Sequence, residues 1–173
     1  MPQRRQRGST QFIVIGWLLL LGTLYWFASD WVEREANPNR NMTVTSANSE
    51  LSLQRARDGH YYADGEINGR PVKFLLDTGA TQIALSPRLA NDLSLSLGRS
   101  VTLQTAAGPA TGYPLRLARV RLGGIEMRDL GAVVSEGMSE ESVLLGMNFL
   151  KHLELVQRGD QMTLRAPASA QQP

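Results

Sequence analysis

The side chain best placed to do chemistry is Asp77, in the stretch "KFLLDTGATQIALS" over residues 73–86. A carboxylate ends an apolar run, Thr78, Gly79 and Ala80 follow at once, and a second apolar run leaves the motif. Asp, Thr and Gly are ordinary turn formers, so the stretch taken alone can be a turn. The sharper reading makes Asp77 one half of a pair of carboxylates doing general acid and base work. A chain of this length at average residue usage contains Asp-Thr-Gly only on the order of a few per cent of the time. A second signal, Leu144-Leu145-Gly146, lies downstream and runs into a helical turn.

Other chemistries find little to work with. No His-Glu-x-x-His, Gly-x-Ser-x-Gly, phosphate-binding Gly/Lys loop or Gly-x-Gly-x-x-Gly occurs. Cysteine is absent, which removes disulfides, thiol catalysis and Cys-ligated zinc. His60 opens a strand and His152 follows Lys151 on a short helix, and both read as structural or solvated. No metal site and no cofactor is expected. Glu126 and Asp129 read as the solvated face of a strand, and Gly65 after Asp64 as a kink or bulge. The formal charge of +2 is small and includes Arg4, Arg5 and Arg7 ahead of any domain, which argues against a nucleic-acid surface.

The elements that must position Asp77 are mostly strands. "HYYADGEI" and "PVKFLL" flank an Asn-Gly pair, so residues 61–67 and 71–76 are expected as antiparallel partners. "SPRLANDL" predicts a short helix with Ser86 as N-cap and Pro87 in its first turn. "SVTLQTA", "GYPLRLARVRL" and "IEMRDLGAVVS" read as further strands, and "LELVQ" and "QMTLR" around "RGD" as a closing hairpin. The class is all-β with one or two short helices.

Upstream, an uncharged apolar stretch over residues 12–28 reaches the lower limit for spanning a bilayer, with Trp17, Tyr25 and Trp26 in it. "RRQR" before it predicts a cytoplasmic N-terminus and a domain on the far side of the inner membrane, periplasmic. An uncleaved anchor is expected, with a cleaved signal peptide as the rival reading. The expected organisation is a basic N-terminus (1–10), a transmembrane anchor (11–29), a flexible linker (30–53), one domain (54–165) and a disordered tail (166–173). The "NMT" at residues 41–43 fits a glycosylation pattern too short to weigh.

"GHYYADGEINGRPVKFLLDTGATQIALS", "TAAG" and "LLGMNFLKHLELVQRGDQMTLR", taken in order, resemble the retropepsin-like (clan AA) aspartic proteases. The closer likeness is to the bacterial members carried on a single membrane-spanning helix. The resemblance implies a closed β-barrel, the acid-protease lobe. It implies Asp77 as the catalytic carboxylate, Thr78 as a brace between two active-site loops, and Gly79 and Ala80 as the rest of the loop. It implies Thr105, Ala106, Ala107 and Gly108 as a flap over bound peptide, although Ala107 stands where Asn is common. Leu144, Leu145 and Gly146 would pack beneath the site.

The implied activity is endopeptidase. Because the chain has one Asp-Thr-Gly and the chemistry needs an acid and a base, a second copy would supply the second Asp77. The partners are then a second copy, an extended polypeptide and the bilayer. The alternative is an inactive, membrane-tethered dimerisation or peptide-binding module of the same fold. A sheet-rich scaffold with Asp-Thr-Gly as a mere turn is the third reading.

Overall fold

The computed structural model describes residues 8–39, 50–105, 108–138 and 142–167. Ala106 and Ala107 of the expected flap, the "NMT" stretch, residues 1–7 and the tail from residue 168 lie outside the described residues. The chain divides into two units, Met1–Ala36 and Asn37–Pro173.

The first unit holds helix α1 (Gly8–Ala36), which contains a window, Phe12–Ser29, long and apolar enough to cross a membrane. Its 18 residues rise about 27 Å, close to the hydrocarbon thickness of a bilayer. Phe12, Trp17, Leu19, Tyr25 and Phe27 are all exposed, a continuous apolar surface that water alone would penalise.

The second unit is built from strands. β2 (Tyr61–Ile67) and β3 (Arg70–Leu76) pair antiparallel across Asn68 and Gly69. Both turn residues have positive φ, 52° and 83°, the geometry that makes Asn-Gly a hairpin signal. β3 runs parallel to β8 (Val143–Leu145), β8 touches β4 (Ile83–Leu85), and β4 runs parallel to β7 (Ile125–Ser135). β7 pairs with the long β6 (Gly108–Leu122), whose far end returns to β2 through Gly65↔Leu122 and Ile67↔Val120. The six strands β2, β3, β8, β4, β7 and β6 therefore close into a barrel. β5 (Val101–Thr105) extends the sheet beyond β6.

Alternation along these strands sends Ile67, Phe74, Ile83, Leu85, Leu117, Leu122 and Leu145 inward, each completely or almost completely buried. Each such side chain contributes about 1.5–3 kcal/mol relative to exposure. A three-stranded antiparallel sheet, β1 (Glu50–Gln54), β10 (Gln161–Arg165) and β9 (Glu154–Arg158), adds Leu51, Leu53, Met162 and Leu164 to the same core. Helix α2 (Pro87–Asp92) starts as expected: the Leu89 N–H donates to Ser86 Oγ at 3.2 Å. Helix α3 (Met147–Leu150) follows β8 and buries Phe149 and Leu150.

Two expectations need correction. Gly65 does not mark a bulge, because β2 and β3 pair without interruption from Tyr61↔Leu76 to Ile67↔Arg70. Glycine is there because a Cβ would lie 2.4 Å from the Arg121 carbonyl oxygen and 2.7 Å from the Phe74 ring. Nor is the whole of residues 30–53 a flexible linker. α1 continues to Ala36, Asn37 and Asn39 are buried, and β1 begins at Glu50. Asn39 works as a side-chain rung: its Nδ2 donates to the carbonyls of Gln54 and Tyr62 at 2.9 and 2.8 Å, and its Oδ1 accepts the Gln54 N–H at 2.7 Å. The adjacent Asn37 donates to Asp64 Oδ1 at 2.7 Å. Composition reads "NPN" as a loop, and buried amide pairing of this kind leaves no periodic signal.

Candidate active site

Asp77 directly follows β3, so its backbone is placed by the strand pairing that precedes it. The Asp77 N–H donates to the Leu145 carbonyl at 3.2 Å, extending the β3–β8 ladder by one bond. β8 itself sits between β3 and β4, the two arms of the Asp77 loop. Leu144 pairs with both arms, opposite Leu75 on one side and Ala84 on the other. Leu144 and Leu145 therefore lie on the strand between the one that enters the loop and the one that leaves it.

The loop then closes on itself. Asp77 Oδ1 accepts the Gly79 N–H at 2.8 Å, and the Ala80 N–H reaches the Asp77 carbonyl at 3.3 Å. This holds one carboxylate oxygen in place. The Asp77 side chain is partly exposed, and Thr78 and Gly79 are exposed. The bond to Gly79 is that of an Asx turn, and it leaves the second carboxylate oxygen of a partly exposed side chain unengaged by the loop.

Gly146 sets how closely helix α3 approaches the loop. A Cβ there would stand 2.5 Å from the Gln82 carbonyl oxygen and 2.8 Å from that of Ala80, distances no side chain tolerates. With glycine in place, Met147 N–H donates to the Ala80 carbonyl at 2.8 Å and Asn148 N–H to that of Thr81 at 3.1 Å. The helix start and the Asp77 loop are thereby joined backbone to backbone.

Asn148 completes the brace, and the sequence reading did not single it out. Its Oδ1 accepts the Ile83 N–H at 3.1 Å, and its Nδ2 donates to the Gly131 carbonyl at 2.7 Å. One side chain on α3 therefore ties the exit of the Asp77 loop to β7. A clue was present: Asn in a helical turn is unfavourable by propensity and usually has a hydrogen-bonding reason to be there.

Thr105 and Gly108 face each other across the β5–β6 turn, and Thr105 Oγ1 donates to the Gly108 carbonyl at 2.6 Å. The hairpin expected as a flap exists, with its two tip residues outside the described ones. His60 sits on the surface beside Asp58, 3.3 Å from Nδ1 to Oδ2, and is not part of the Asp77 loop. Glu126 and Asp129 pair with Arg128 and Arg116 on the solvated face of β7. Among the described residues no cluster of His, Cys, Asp and Glu has metal-binding geometry.

The clefts among the described residues include two open ones, of about 540 and 500 Å³. The first is lined by Ile125, Met127 and His152 among others, the second by Gln82, Leu97 and Pro114 among others, and neither includes Asp77.

Comparison with known proteins agrees with this geometry. The family described as "gag-polyprotein putative aspartyl protease" matches residues 63–152, from within β2 through α3. "Uncharacterized protein in cobV 5'region" from Sinorhizobium sp is 35% identical over 134 residues, which cover 74% of this chain and 58% of that protein. "Uncharacterized protein RP867" from Rickettsia prowazekii (strain Madrid E) is 33% identical over 108 residues, covering 61% of this chain and 46% of that one. The chain thus spans about half the length of the curated relatives it matches. The crystal structure of a retropepsin-like aspartic protease from Rickettsia conorii superposes with a TM-score of 0.59 at 32% identity, covering 66% of this chain and 98% of that one. With its closed barrel, its Asp-Thr-Gly loop and a family match over more than half its length, the chain belongs to the gag-type, retropepsin-like aspartyl proteases.

Proposed function

We propose that this chain is a membrane-anchored aspartic endopeptidase that works as a homodimer, with Asp77 of each copy forming the catalytic pair. The observation that carries the reading is the Asp77 loop itself: a partly exposed carboxylate, oriented by the Gly79 N–H and fixed from below by Leu145, Met147 and Asn148. The chain holds a single Asp-Thr-Gly. A groove formed between two copies supplies the second carboxylate.

In that pair the two carboxylates share one proton, because two adjacent negative charges repel. The ionised one takes a proton from water as the water attacks the peptide carbonyl. The protonated one donates to the carbonyl oxygen, and a tetrahedral intermediate forms. Its collapse breaks the C–N bond, and a proton passes to the leaving amine. Thr78 braces the two loops, and Gly79 and Ala80 leave room for substrate backbone. The β5–β6 hairpin closes over an extended peptide, held by main-chain hydrogen bonds. Helix α1 anchors the chain, with the N-terminus cytoplasmic and the protease unit periplasmic, and confinement to a bilayer raises the effective concentration for pairing.

The test compares the full chain in detergent micelles with Asp77→Asn, on a mixture of unfolded proteins from mildly acidic to neutral pH. Cleavage by the first and none by the second is the expected result. Equal cleavage by both, or none by either at any pH, rejects the protease reading and favours an inactive module.

A further inference from the structure

Asn37-Pro38-Asn39 follows helix α1 directly, and its two asparagines are as buried as core side chains, 6% and 5% exposed. Every polar side-chain atom of both is engaged. Asn37 Oδ1 accepts the Asn39 N–H at 3.1 Å, which folds the tripeptide into an Asx turn, and Asn37 Nδ2 donates to Asp64 Oδ1. Asn39 in turn bonds both peptide groups of Gln54 and the Tyr62 carbonyl. Pro38 holds its φ at about −65° between them, which limits the ways the turn can open. The chain is thus fastened to the barrel from the first residue past the helix.

Chain length then bounds how far Asp77 can stand from a membrane. From Ser29, where the apolar window closes, residues 30–36 continue the helix and one more peptide reaches Asn37, about 14 Å at most. Asn37 to Asn39 adds about 7 Å if extended. From Asn39 the path crosses the hydrogen bond to Tyr62, one strand spacing to Leu75 opposite it, and two residues of chain to Asp77, about 20 Å in all. Whatever angle the chain takes at Ala36, Asp77 stays within about 40 Å of the edge of the hydrocarbon layer. A free linker over residues 30–53 would let it range about twice as far.

We propose that the Asn37–Asn39 turn acts as a ruler that directs this protease to polypeptides anchored in the same bilayer, cut where an extended stretch lies within about 40 Å of the hydrocarbon layer. The inference rests on the membrane-anchored protease reading above and names its substrate class. A substrate held in the same membrane keeps about its first dozen extended residues inside that shell, at the effective concentration of a tethered pair. A soluble chain visits the shell only by diffusion. The cut is the hydrolysis described above, and its product is the outer part of the substrate, released whole.

The test places the full chain in lipid vesicles with substrates built on one transmembrane helix, inserted in the same sense and carrying an unfolded segment that the enzyme cuts in micelles. In one substrate the segment follows the helix directly; in the other a rigid helical-repeat spacer, about 80 Å long, stands between them. The near segment should be cut at least about tenfold faster than the far one. Inserting the same spacer between Ala36 and Asn37 of the protease leaves the turn and the Asp77 loop untouched, and should bring the far segment up to at least the rate of the near one. Asn37→Ala with Asn39→Ala unfastens the turn, and per folded molecule should narrow the difference between the segments at least about threefold, which a merely structural pair would not do. Equal cutting of both segments by the wild-type chain, a preference that the inserted spacer leaves unchanged, or a segment cut in micelles but from neither substrate in vesicles overturns the ruler and leaves the Asp77 reading standing. If no segment is cut in micelles or vesicles at any pH, the protease reading fails, and this inference with it.

Discussion

Asn148 holds Ile83 by its backbone: the Ile83 N–H donates to Asn148 Oδ1 at 3.1 Å, while the other end of the same amide donates to Gly131. Ile83 is the first residue of β4, so the bond fixes where the Asp77 loop ends and the strand begins. Replacement by Ala leaves the part-buried Ile83 N–H and Gly131 carbonyl without this partner. Asn148→Ala should lose about 1–3 kcal/mol of stability in urea unfolding. The peptidase activity proposed above should fall further than the folded fraction does, because the loop is loosened even where the barrel is intact.

Gly146→Ala should be the more damaging change. Its Cβ would press on main-chain oxygens of Ala80 and Gln82, which cannot rotate away. Overpacking of this kind costs about 1–3 kcal/mol, and here relief comes only by moving α3 off the loop. Thermal unfolding should show a clear drop in midpoint, and activity should be lost in whatever protein remains folded.

A shared active site has a signature in mixtures. When Asp77→Asn chains are mixed with wild type at about nine to one and allowed to exchange, activity per wild-type chain should fall about tenfold, since nearly every wild-type chain then has an inactive mate. Activity proportional to the wild-type chains present would show that one copy suffices.

Asn39→Ala should cost about 1–3 kcal/mol, measured by denaturant unfolding, through the loss of its bonds to Gln54 and Tyr62. Amide exchange should quicken first at Gln54, whose N–H loses its acceptor.

Acid stability carries a smaller, local prediction. Burial pushes the Asp58 carboxyl upward, but the His60 N–H, the Tyr62 hydroxyl and the His60 side chain together outweigh it and hold Asp58 below the usual carboxylate range. A depressed folded-state value means stability that is present above the unfolded value of roughly 4 and lost as pH falls through the folded one. Tyr62→Phe should flatten that acid limb slightly, and the effect should shrink in salt because Asp58 is exposed.

Alternating strands, the Asn68-Gly69 turn and the Ser86 cap were legible because each is written in adjacent residues. The turn at Asp77 and the strand-to-helix junction at residues 144–146 were legible for the same reason. What escaped was any relationship between distant segments. Gly65 reads locally as a kink, yet its reason is Arg121, which reaches it only when the barrel closes. Asn148 and Asn39 are single polar residues whose partners lie far along the chain, and hydrogen-bond satisfaction has no period in sequence.

The contacts that fix the Asp77 loop are almost all made by main-chain atoms: Asp77 to Leu145, Met147 to Ala80, Asn148 to Thr81. Such contacts are indifferent to side-chain identity. The position of the carboxylate is therefore inherited with the backbone, and most neighbouring residues can drift without disturbing it. What must be kept for that position are the few side chains, or lack of them, that the backbone contacts need: Gly146, whose Cβ would strike the loop, and Asn148, which holds Ile83.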